Sequence, residues 1–63
     1  MNARDRMDAK VMAHLILEHD KNLTKEQVVV LAYQSLRAND EMGFNNLPTA
    51  FKYVLEHPEW KAD

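Results

Sequence analysis

The sequence predicts an all-α fold, a small three-helix bundle with helices at about residues 3–19, 25–42 and 47–57. Two observations carry this. Apolar residues recur at three- and four-residue spacing in three separate stretches, and residues that start or stop helices bound those stretches. The joints between them are short, there is no internal repeat or low-complexity segment, and the chain reads as a single helical domain, 1–63.

The first helix is expected to begin at Asn2, whose side chain suits an N-cap, with Asp5 in the first turn near the positive end of the helix dipole. Met7, Val11 and Leu15 form one row of its apolar stripe, and Met12 and Ile16 form the row beside it. The stripe gives way to charge and an asparagine between His19 and Asn22.

The second helix has the clearest start. In "LTKEQV", Thr24 stands at the N-cap and Gln27 completes a capping box, while Leu23 and Val28 occupy the two positions of a hydrophobic staple. Val28, Val29, Leu31, Ala32 and Leu36 then follow helical spacing as one broad apolar face. The β-branched run Val28 to Val30 lacks the alternation of a half-buried strand. Asn39 and Met42 continue the same face, so the helix is expected to run to Met42, with Gly43 as the left-handed residue that ends it; termination at Asn39 is the competing reading.

"NLPT" opens the third helix. Asn46 is placed to cap, and Pro48 is tolerated in a first turn where its missing N–H has no helical partner. Leu47, Ala50, Phe51, Val54 and Leu55 match the amphipathic template. Pro58 disfavours helical geometry at His57, which sets the end.

A chain of 63 residues buries only about 60% of the surface its unfolded form exposes. Its core is therefore small, and chains of this size usually need a staple, a partner or very regular helix packing. There is no cysteine, which removes disulfides and the cysteine-based zinc frameworks and agrees with a reducing compartment. No export signal and no long apolar run is visible, so a cytoplasmic protein without a membrane span is expected.

The net charge of -2 is uneven. Residues 1–22 balance; residues 23–38 carry Lys25 and Arg37 against Glu26; residues 39–63 carry Lys52 and Lys61 against Asp40, Glu41, Glu56, Glu59 and Asp63. An acidic C-terminal third repels phosphate backbones, which argues against nucleic acid as a partner.

Candidate chemistry is sparse. With Gly43 at the sixth position of a calcium loop, the first, fifth and twelfth positions fall on Ala38, Met42 and Thr49, which lack the required carboxylates. His14 and Glu18 share a helical face, but His19 lies about 140° from His14 and no third ligand is in reach. One glycine makes no phosphate loop, and Ser35, the one serine, falls at the margin of a core face. These absences predict a non-catalytic protein without cofactor, metal or small-molecule substrate. Helices two and three also invite comparison with a helix-turn-helix. The outward residues Thr49, Lys52, Tyr53 and Glu56 nevertheless give the would-be recognition helix only one positive charge and one negative.

Several apolar side chains are left outside the expected core. Val30 lies about 200° from Val28, with Tyr33 at its flank, and Leu17 falls off the first helix's stripe. Tyr53 points away from Phe51 and Leu55, and Trp60 follows the helix-ending proline, where it is expected to fold back as a lid on the bundle's end. Single apolar residues on a surface are ordinary. Leu17, Val30, Tyr33, Tyr53 and Trp60 together form a candidate partner surface, since interfaces favour tyrosine and tryptophan. The function expected from sequence is that of a small accessory or regulatory protein acting by protein–protein interaction. Its partner is another protein or, as a homodimer, itself, in which case pairing covers Val30 and Leu17. A helix-turn-helix-like DNA-binding regulator is the alternative.

Overall fold

The structure, a computed structural model, describes residues 3–61, with side chains from residue 6 onward. Three helices follow one another: α1 (Ala3–His19), α2 (Lys25–Met42) and α3 (Leu47–Glu56), and every pair of them is in contact. The expected bundle is what forms, with α3 ending one residue early because His57, ahead of Pro58, leaves helical geometry and serves as its C-cap at φ -126°.

Local chemistry sets the boundaries. At the start of α2 the Thr24 hydroxyl accepts from the Gln27 backbone N–H at 3.1 Å, and the Gln27 side chain accepts from the Thr24 N–H at 2.9 Å. Two donors that the helix leaves orphaned are thereby satisfied. Leu23 and Val28, on either side of the cap, both pack against the core. At the other end Gly43 adopts φ 70°, and its N–H donates to the Asn39 carbonyl at 3.1 Å, so the helix reaches Met42 rather than stopping at Asn39. Asn46 caps α3 by accepting from the Thr49 N–H at 2.9 Å; the Thr49 hydroxyl donates to the same oxygen. Between α1 and α2, Asp20 accepts from the Asn22 N–H at 2.9 Å, which tightens the corner. The cap expected at Asn2 lies outside the described residues.

The core is narrower than the apolar stripes. Met12 and Ile16 of α1 are fully buried against Phe51 of α3, with Leu15, Leu23, Val28, Leu31, Ala32, Leu36 and Leu47 packed around them. Each fully buried side chain of this kind contributes about 1.5–3 kcal/mol. Small residues occupy three of the fully buried positions: Ser35, Ala38 and Ala50 have no exposed surface. Ser35 is therefore central, not marginal, and its hydroxyl donates to the Leu31 carbonyl at 2.7 Å, so no polar group is left unsatisfied there.

Five expected core residues lie largely outside, one of them Met42, 44% exposed in the last turn of α2. Met7 and Val11 are exposed, and of their row only Leu15, nearer the α1–α2 corner, packs against the core beside Met12 and Ile16. Val29 is 58% exposed because the inner face of α2 is centred on Ser35 and Ala38, which turns Val29 out. Leu55 is exposed beside the buried Val54 at the end of α3.

Candidate partner-binding surface

Helical geometry brings the unexplained apolar residues of α2 together. Measured at about 100° per residue, Glu26, Val30, Tyr33 and Arg37 fall within about 60° of one another, with Val29 on the flank. This row is diametrically opposite the buried Ser35. Val29, Val30 and Tyr33 are each more than half exposed, at 58%, 57% and 51%. They occupy the most solvent-facing side of α2, where charge is the ordinary choice.

Two shallow grooves meet on this helix, and both are bordered by Val30 and Leu31. One runs toward the α1–α2 corner and is lined by Leu23, Thr24, Glu26 and Gln27. The other runs toward the end of α3, where Gln34, Val54, Leu55, Pro58, Trp60 and Lys61 line it. Its wall exists because the chain doubles back after Pro58: the Trp60 N–H donates to the His57 carbonyl at 3.0 Å, which turns the indole onto the bundle. Trp60 is half-buried, serving as a partial lid whose outer part remains available.

An aromatic row supports this tail. Tyr53 stacks on His57 with ring centroids 4.4 Å apart, meets Phe44 at 5.4 Å and meets Trp60 edge-on at 6.2 Å. The Tyr53 ring is thus half-buried by its own neighbours and steadies Trp60. His57 Nδ1 lies 3.1 Å from Glu59 Oε1. The Glu59 carboxyl is held below its usual range, first by its own backbone N–H and then by the His57 side chain.

Of the five residues singled out in the sequence, Val30 and Trp60 share a groove, Tyr33 lies one turn from Val30 on the outer row, and Tyr53 buttresses Trp60. Leu17, 41% exposed on α1, lines neither groove. Leu31, Leu55 and Pro58 were not singled out for this surface. Their part in it depends on how α2, α3 and the tail meet, which no spacing along the chain announces.

Some of the nearby charges are paired within the chain. Arg37 Nη2 pairs with Glu41 at 3.1 Å, and Lys52 with Glu56 at 3.9 Å. Glu26 makes no ion pair among the described residues. His14 and Glu18 are exposed, and among the described residues no group of three histidine, cysteine or acidic side chains is arranged to hold a metal ion. Among those residues, too, no helix is long and apolar enough to cross a membrane. No protein-family model, curated protein or solved structure matches this chain.

Proposed function

We propose that this is a non-catalytic protein-binding module, of an accessory or regulatory kind, which acts through the outer face of α2 and the groove closed by Trp60. The observation that carries the reading is the exposure of Val29, Val30 and Tyr33 on the side of α2 directly opposite its buried face. These side chains contribute nothing to the core, and leaving them in water forgoes about 1 kcal/mol or more for each that a contact would cover. Contiguous apolar surface with aromatic residues at its edge suits a protein partner.

A DNA-binding reading draws some support from the joint between α2 and α3, residues 43–46, whose length is within the range of a helix-turn-helix. The exposed face of α3 argues against it, since the charge of Lys52 is opposed by Glu56 one turn on and Tyr53 is engaged with the tail.

The test compares the wild-type chain with Val30→Glu as bait against extract of the native host. Position 30 is exposed, so the substitution leaves folding nearly unchanged, which circular dichroism checks. A protein held by the wild type and released by Val30→Glu supports the reading. Steep, salt-sensitive binding to random duplex at low salt, indifferent to Val30→Glu, supports the DNA alternative instead.

A further inference from the structure

We propose that the outer face of α2 pairs with the same face of a second copy of this chain, antiparallel and about a two-fold axis crossing between Leu31 and Ala32. The proposal rests on the partner-surface reading above and names the partner.

Three features of α2 converge on it. First, the outer row is self-complementary. A two-fold axis at that point sets each residue level with the one whose number completes 63, so in the seam Val30 meets Tyr33 of the second copy and Tyr33 meets its Val30. An isologous interface requires this reciprocity. Second, the charges follow the same symmetry. Glu26, which makes no ion pair among the described residues, falls opposite Arg37 of the second copy at one end, and the relation repeats at the other. Arg37 already holds Glu41 at 3.1 Å, and its guanidinium has further donors to offer a second carboxylate. Third, the two grooves meet at Val30 and Leu31, so a tyrosine ring arriving over Val30 finds an apolar depression on each side. Trp60 and Leu55 extend the covered area beyond a single helix pair. The dimer is expected to dissociate in the micromolar range.

Within one chain Glu26 and Arg37 stand about 16 Å apart along the helix axis and cannot touch. A charge swap therefore reads the intermolecular contact alone. Sedimentation equilibrium from about 10 to 500 µM should give a wild-type mass rising from 7.4 kDa toward twice that value. Glu26→Arg and Arg37→Glu should each weaken association about tenfold, because every exchange sets two like-charge pairs in place of two attractive ones. The double variant should recover most of the lost affinity. Arg37→Glu also brings a second carboxylate near Glu41, but that penalty is common to the single and double variants and drops out of the comparison. A mass that stays at the monomer value across the range overturns the dimer while leaving capture of another protein, sensitive to Val30→Glu, as a separate result. A dimer in which the double variant is no better than Arg37→Glu alone overturns the antiparallel register.

Discussion

The imidazole of His19 stands edge-on against the ring of Phe51, with centroids 5.6 Å apart and planes at 86°. The last residue of α1 thus covers the central aromatic side chain of α3, and this contact ties the first helix to the third across the core formed with Met12 and Ile16. Phe51→Ala should cost about 3–5 kcal/mol, a large share of the stability of a domain this small. His19→Ala should cost about 0.5–1.5 kcal/mol, the worth of an aromatic contact at the margin. Urea denaturation measures both. A Phe51→Ala midpoint equal to that of the parent would mean that the core lies elsewhere.

The helix ends offer a separate set of measurements. Thr24→Ala removes one half of the capping box and should cost about 1 kcal/mol. Gly43→Ala should cost about 1–2 kcal/mol for a purely conformational reason, because a side chain there meets nothing within 4 Å while the backbone stays at φ +70°. Gly43→Asn should be milder, since asparagine tolerates that conformation. Equal melting temperatures for the alanine and asparagine variants would show that the position does not hold a left-handed geometry in solution.

Which parts of this molecule are legible in its sequence follows from the range of the interactions involved. Thr24 and Gln27, Gly43, and Asn46 with Pro48 act within three or four residues, so residue type and spacing alone place the ends of all three helices within a residue. The facing of the helices is less legible. Counting apolar residues centres the inner face of α2 too near Val29, because hydropathy ranks valine above serine and alanine. Close helix approach selects by size instead, and Ser35 and Ala38 end up innermost. The candidate surface is legible in part: Val30 and Tyr33 stand out by angle, whereas the groove that joins Val30 to Leu55 and Trp60 is a non-local product of the fold.

Ser35 gives a direct test of that size argument. Ser35→Ala should change stability by less than about 1 kcal/mol, because among the described residues the hydroxyl bonds only to the Leu31 carbonyl one turn back and its loss strands no other group. Ser35→Leu should destabilise by about 1–3 kcal/mol or more, since a fully buried position has no room for added methylenes. Thermal melts of the two variants distinguish the readings. A harmless leucine would mean that the helices around Ser35 are not in close contact.

The tail beyond Pro58 should respond to acid. The Glu59 carboxyl, held by its own backbone N–H and by His57, binds a proton less readily in the folded chain than the ordinary value of 4.5 implies. A lowered folded value means that the unfolded chain takes up the proton first. Its contribution is therefore fully present above the ordinary carboxylate range and is lost as pH falls through the depressed value. Glu59 is exposed, so the effect on global stability is small, and the sharper readout is local. Trp60, the single tryptophan, adjoins Glu59 and packs edge-on against Tyr53, which itself stacks on His57. Its fluorescence should shift toward that of an exposed indole as the pH is lowered from about 6 to 3, ahead of any loss of helix by circular dichroism. In Glu59→Gln this early shift should be reduced. A tryptophan signal that moves only together with helix loss, in both proteins, would show that the Glu59 charge does not hold the tail in place.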